Sequence, residues 1–249
     1  MIPLKNKLEV DKLRNSCKIA AETLMLLKGL VKPGITTYEL NKAAEQFILA
    51  QNAKPSFKGY MGFPSALCTS VNDEVVHGIP SNRQLKEGDI VSLDVGTWQD
   101  GFYGDMAITL PVGDIKPEVK KLLDVTQKAL YLGIEQAKVG KRISDISWAI
   151  QSIAEKEGYS VVRAFVGHGI GRRLHEEPKI PNYGLPGRGE KIKAGMVLAI
   201  EPMINMGGSP VRILADQWTA VTGDGSLSAH FEHTVAITHD GNQILTKIE

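Results

Sequence analysis

The chain repeats itself once, and this constrains its fold more than any other feature. "KPGITTYEL" (32–40) resembles "KVGKRISDI" (138–146), "VVHGIP" (75–80) resembles "VGHGIG" (166–171), and "KEGDIVSLD" (86–94) resembles "KAGMVLAIE" (193–201). The pairs are collinear, at offsets of 106, 91 and 107 residues. The expected organisation is a single domain over 1–249, built from two similar halves of roughly 1–112 and 113–249. The short middle offset assigns about 16 extra residues (107 − 91) to the second half, within "RRLHEEPKIPNYGLPGRGE". That segment reads as a long loop containing His175, and long loops without their own secondary structure are often functional.

Periodicity agrees with duplication. Residues 8–30 carry Leu13, Cys17, Ala20, Leu24 and Leu27 at helical spacing. Thr36 and Glu39 stand in capping-box spacing before Leu40, Ala44, Phe47 and Ile48. In the second half Pro117 suits a first helical turn, followed by an apolar stripe from Val119 to Ala137. Ser144 is the expected cap of a fourth helix closed by Gly158. Each pair of helices precedes strand-like words: "DIVSLDVG" and "YGDMAITL", then "VVRAFVG", "MVLAIEPMI" and "FEHTVAIT". The predicted class is α+β, a central sheet backed by helices.

Both repeated strand words end in an acid, Asp94 and Glu201. An isolated ionised carboxylate is costly to bury, so an acid closing an apolar strand needs a reason. Asp105 follows Asp94 across a predicted hairpin turn at Asp100-Gly101, which brings the two acids roughly opposite. Glu232 interrupts another apolar strand. Four carboxylates facing inward, with no Lys or Arg in these words, call for compensating charge that two divalent cations would supply. His168, in the word shared by both halves, adds one imidazole. Such an oxygen-rich set suits Mn, Co, Fe or Zn without discriminating well among them. Two ions roughly 3.5–4 Å apart need a bridging carboxylate, for which Glu232 is the first choice. "FVGHGIGRRLHEEP" by itself leaves open whether His168 and His175 are ligands, a catalytic pair or residues of a glycine-rich loop.

Composition excludes several classes. Hydrophobic content of 43% and charged content of 23% are those of a soluble globular protein. A net charge of +1 gives no electrostatic reason to expect a nucleic-acid or anionic-membrane partner. Cys17 and Cys68 are too few for a disulfide scaffold, so a reducing cytoplasm is the expected compartment. The polar start "MIPLKNKLEVDKLRN" lacks the apolar core of a signal peptide, and no stretch approaches the roughly 20 apolar residues of a membrane span.

At these residues the sequence resembles the type I methionine aminopeptidase family of pita-bread metallopeptidases. "VNDEVVHGIP", "SLDVG", "YGDMAIT", "GHGIGRRLHEEP", "IEPMI" and "SLSAHFEHT" stand in family order, nearly end to end. With no zinc-finger extension in view, the short bacterial type is the expectation. The resemblance implies a curved antiparallel sheet and a metal set of Asp94, Asp105, His168, Glu201 and Glu232. It also implies substrate-contacting histidines at His77 and His175, and a methionine pocket near Tyr60, Phe63, Cys68, Leu174 and Trp218. The implied reaction is removal of the initiator methionine from nascent polypeptide N-termini, preferentially before a small second residue, by a metal-activated water. Glu201 takes its proton, His175 supports the oxyanion and His77 steadies the leaving side. A monomer is expected, and transient ribosome association is left open.

Three positions depart from the family pattern: Phe57, Leu174 in place of an aromatic, and His230 in place of glutamine. All three are expected to alter pocket shape without touching the metal set. Glu176 and Glu177 are expected to be a solvated pair. The competing readings are a proline-specific peptidase of the same fold and a non-catalytic pita-bread protein that binds RNA or ribosomes.

Overall fold

Asn6 opens the first helix of the computed structural model, which describes residues 2–247. Its side chain accepts from the Glu9 amide, while the Glu9 carboxylate accepts from the Asn6 amide, and α1 (Lys7–Leu30) follows. Thr36 and Glu39 make the same reciprocal pair before α2 (Thr37–Ala50). In each case two otherwise unpartnered N–H groups of the first turn are satisfied. Pro117 occupies the first position of α3 (Pro117–Gln136). The fourth helix, α4 (Ile143–Lys156), starts one residue before Ser144, which is therefore not its cap. Asp145 instead accepts from the Arg142 amide, and the Ser144 hydroxyl is engaged with the backbone of Arg188. Gly158, at φ +87°, closes α4 as its sequence position suggested. No described helix is long and apolar enough to cross a membrane.

Fifteen strands connect and follow these helices among the described residues. In chain order they are β1 (Lys54–Pro55), β2 (Cys68–Val71), β3 (Glu74–Val76), β4 (Ile90–Gln99) and β5 (Phe102–Pro111). Next come β6 (Ser160–Val161), β7 (Val166–Gly169), β8 (Glu176–Pro181), β9 (Val197–Ile200) and β10 (Met203–Asn205). The last are β11 (Val211–Ile213), β12 (Ala220–Thr222), β13 (Ser228–His230), β14 (Glu232–Thr238) and β15 (Gly241–Ile244). Nine form one sheet in the order β1-β4-β5-β14-β9-β7-β8, with β2 added on β4 and β15 on β14. Every pairing in it is antiparallel. Leu93, Val95 and Met106 point from β4 and β5 into the core beneath α1 and α2. Leu198 and Val235 join the core beneath α3 and α4. Strand alternation then turns Asp94 and Asp105 to the opposite face.

The duplication is legible in two of the three word pairs. Isolated bridges join Thr36 to Gln84 and Arg142 to Lys191, at the same offsets of 106 and 107 residues. The HGI words are not equivalent. "VVHGIP" runs from β3, which pairs with β12 in a separate three-stranded sheet, whereas "VGHGIG" is β7 of the large sheet. The expected strand "VVRAFVG" is likewise two pieces, β6 and β7, in different sheets. "MVLAIEPMI" breaks after Ile200 because Pro202 has no N–H for a ladder, and the chain passes from β9 to β10 in another sheet. The segment read as an unstructured loop contains β8, paired with β7.

Candidate active site

The hairpin β4–β5 sets the first ligands. In its register Asp94 stands opposite Ala107 and Asp105 opposite Gly96, so the two acids are diagonal neighbours on one face rather than direct partners. Ala107 also faces Glu232 across β5–β14, and Asp94 faces Cys68 across β2–β4. Cys68, Asp94, Ala107 and Glu232 therefore form one row over four strands. Thr234 fixes Asp105 by donating to its carbonyl at 2.7 Å. Glu201 sits where β9 breaks, its carbonyl held by Asn182 at 3.1 Å. Gly167 lets β7 lie close to β9, since a Cβ there would meet the Ala199 carbonyl and the Glu201 side chain.

His168 comes from β7, opposite Ala199. Its Nδ1 lies 3.0 Å from the Gly169 carbonyl, so that nitrogen carries the proton and the Nε2 lone pair is free. That Nε2 lies 3.6 Å from Glu201 Oε1. His175, just ahead of β8 and accessible to solvent, places its ring 4.4 Å from that of His168. Its Nδ1 is 2.8 Å from the Tyr60 hydroxyl.

These groups line one cavity of about 300 Å³. Asp94, Asp105, His168, Glu201 and Glu232 form its acidic floor, and His77, His175, Tyr60, Phe63, Cys68, Leu174 and Trp218 also line it. Phe63 and Trp218 meet edge to face at 5.2 Å, and His77 lies against both Trp218 and Phe165. The candidate ligands, both candidate histidines and the candidate pocket residues thus line one cavity. His77, at φ +61°, reaches the cavity from β3, not through equivalence with His168.

Sequence reasoning missed Phe165 and Met61, which line the cavity, and misjudged His230. His230 does touch the acidic set: its Nε2 is 3.4 Å from Glu201 Oε2. The signal was present, because residues two apart on extended chain share a face and Glu232 follows by two. Phe57 and Leu174 also line the cavity; Leu174 is buried with Leu13 and Ile170. Glu176 is not solvated. It is buried, paired with Lys5 and accepting from the Arg173 amide, which ties the loop to the start of α1, while Glu177 is exposed.

The carboxyl groups of the floor have no basic partner. No Lys or Arg is among the residues lining the cavity. Asp94 Oδ1, Asp105 Oδ1, Glu232 Oε1 and His230 Nε2 are buried without hydrogen-bond partners among the described residues. Burial pushes Asp94 up to about 7 and Glu201 up to about 8. Burial and then the neighbouring carboxylates push Asp105 and Glu232 well above the usual carboxylate range. Burial holds His168 down at about 3 and His77 at about 4. Neutral imidazole and oxygens with no protein partner are what a divalent cation requires. Asp105, His168 and Glu232 offer donor atoms within 4.8 Å of one another, as do Glu201, His230 and Glu232. The residues present fit a metal.

The model of metallopeptidase family M24 matches residues 11–239. The chain belongs to metallopeptidase family M24. Family membership implies a divalent metal, for which the floor offers a candidate cluster, and the nine-stranded antiparallel sheet with its helices is the pita-bread fold. A methionine aminopeptidase from Clostridium perfringens is 56% identical over 249 residues, covering 100% of both chains. The crystal structure of methionine aminopeptidase from Rickettsia prowazekii superposes with a TM-score of 0.98 at 46% identity, covering 99% of this chain and 100% of that one. A prolidase from Pyrococcus furiosus shares the M24 fold at a TM-score of 0.79 and 24% identity, with 66% of its length covered. Fold alone therefore does not separate the two specificities.

Proposed function

We propose that this chain is a metal-dependent aminopeptidase that removes the initiator methionine from nascent polypeptides, preferentially before a small second residue. The observation that carries the reading is the cavity itself. An acidic floor with partnerless donor atoms faces a wall of Phe63, Phe165, Trp218 and Cys68 within about 300 Å³. That wall suits an unbranched thioether, because sulfur packs favourably against aromatic rings. Asp94 and Asp105 come from the first half, and His168, Glu201 and Glu232 from the second, so the halves act as one catalytic domain. Acting as a monomer in the cytoplasm, the enzyme would meet its substrates as they leave the ribosome.

Asp94, Asp105, His168, Glu201 and Glu232 would hold two divalent ions, drawn from Co, Mn, Fe and Zn. When bound, such ions make water a nucleophile near neutral pH and polarise the scissile carbonyl. Glu201, buried at the floor, would be the group that takes the proton of the attacking water. With the Tyr60 hydroxyl as donor to His175 Nδ1, 2.8 Å away, the ring would carry its proton on Nε2 and offer it to the developing oxyanion. Partial desolvation lowers the His175 pKa, which favours the uncharged ring as donor. His77, held between Phe165 and Trp218, steadies the peptide on the leaving side.

The test compares Met-Ala-Ser, Met-Leu-Ser and Ala-Pro peptides with the metal-loaded protein and with Asp105→Asn. The expected outcome is release of methionine from Met-Ala-Ser in preference to the others, with loss of both bound metal and turnover in the variant. Hydrolysis of Ala-Pro with Met-Ala-Ser untouched would reject the reading.

A further inference from the structure

His230 ends β13, and Glu232 begins β14 in a different sheet. The backbone of His230 is pinned between them: its amide donates to Thr109 Oγ1 and its carbonyl accepts from the same hydroxyl, both at 2.8 Å. Its side chain is 2% exposed and lines the cavity. Burying an imidazole nitrogen without a partner costs free energy, yet Nε2 has none among the described residues. The nearest acceptor, Glu201 Oε2, is 3.4 Å away. Hydrogen bonds from nitrogen to oxygen centre on about 2.9–3.0 Å. Two donors sharing one tetrahedral ion, with bonds of about 2.1 Å, lie about 3.4 Å apart.

The surrounding atoms repeat the pattern. Glu201 is flanked on both oxygens, Oε1 by His168 Nε2 at 3.6 Å and Oε2 by His230 Nε2 at 3.4 Å. Donor atoms fall into two groups, Asp105–His168–Glu232 and Glu201–His230–Glu232, each within 4.8 Å. Each group holds one imidazole, and Glu232 belongs to both.

We propose that His230 is a second imidazole ligand of the metal centre, binding together with Glu201 and Glu232. The assignment rests on the metallopeptidase reading of the cavity and goes beyond the five ligands carried over from the family. A purely structural role would have His230 steer Glu201 through a long hydrogen bond. The ligand role instead gives the centre two nitrogen donors, which strengthens its preference for Co, Zn and Fe over Mn, since imidazole suits the first group and oxygen the last.

Metal-free wild type, His230→Gln and His230→Ala are titrated anaerobically with Co(II), followed by calorimetry and by the visible d–d absorption of the bound ion. Glutamine can still donate to Glu201 Oε2 but has no imidazole nitrogen, and it keeps the site filled should alanine unfold. Both variants are expected to lose Co(II) affinity by at least the roughly 10–100-fold that loss of a supporting residue costs, and to shift the absorption bands. Mn(II) affinity should fall less. Wild-type affinity and spectrum in His230→Gln would overturn the assignment, as would weakened binding with an unshifted spectrum, which marks a positioning residue. A wild-type chain that takes up no Co(II) would instead overturn the metallopeptidase reading and this inference with it.

Discussion

Asp94 and Glu232 stand on one row of the sheet with a single alanine between them, each paired across to Ala107. A methyl group there leaves space above the strand between two carboxylates. Ala107 is 1% exposed, so a larger side chain has nowhere to go except into that space. Ala107→Val should cost about 1–3 kcal/mol of stability through overpacking, while separating the two acids. Metal uptake by equilibrium dialysis is expected to fall sharply in a variant whose circular dichroism remains native. Normal uptake would mean that the row does not frame the centre.

His168 and His175 lie ring against ring but have different tasks. His168→Ala should weaken the metal isotherm, and added metal should restore part of the activity. His175→Ala should keep the isotherm and lose kcat about 100–1,000-fold, the usual cost of an oxyanion donor. Tyr60→Phe frees His175 Nδ1 from its partner and should lower kcat in the same direction, with KM changed less. Loss of metal by His175→Ala and not by His168→Ala would reverse the two roles.

Leu174 lines the cavity where the family resemblance leads one to expect an aromatic side chain. Leu174→Phe should narrow the pocket and raise selectivity for methionine over norleucine, by no more than the about 1–3 kcal/mol that a hydrophobic pocket assigns to one methylene. Ratios of kcat/KM on paired peptides measure it. Unchanged ratios would remove Leu174 from the specificity wall.

Removing the metal should make stability fall as pH rises above neutrality. Asp94 and Glu201 titrate in the metal-free fold at about 7 and about 8, pushed up chiefly by burial. Unfolded carboxyls titrate near 4, so the folded chain holds the extra protons and loses that advantage as pH climbs through the folded values. Below about 6.5 the buried histidines act in the opposite sense, because their folded values lie below the unfolded one and their contribution is lost as pH falls. His77 at about 4 and His168 at about 3 are the clearest cases. The histidine contribution fades only about one unit above the unfolded value, so the carboxylates dominate from about pH 7.5 to 8. There the Tm of the metal-free protein should decline, and Co(II) or Mn(II) should abolish the slope by competing with protons for the same oxygens. A flat metal-free profile would contradict the burial of these acids.

Elements whose signals are local are legible in the amino-acid order alone. Helix starts at Thr36 and Pro117 depend on a few neighbouring residues and on apolar spacing, and the capping pair Thr36–Glu39 could be read directly, whereas the Asn6 cap was not. The acids of the floor were legible for a related reason: a carboxylate inside an apolar strand word is anomalous wherever the strand goes. Tertiary structure decided what depends on how strands change sheets. Pro202 ends a ladder that apolar content alone would continue, and this leaves Glu201 at a break between β9 and β10. The HGI words look alike, yet β3 and β7 lie in different sheets, because a short match in sequence does not fix a strand's partner. His230 was set aside as a matter of pocket shape. Its spacing two before Glu232 put it on the same face, and the passage of the chain from β13 to β14, with Thr109 pinning the junction, set how close its imidazole comes to Glu201. Pairing and sheet membership are long-range properties, fixed by which apolar faces the whole chain can bury at once, and no window of neighbouring residues contains them.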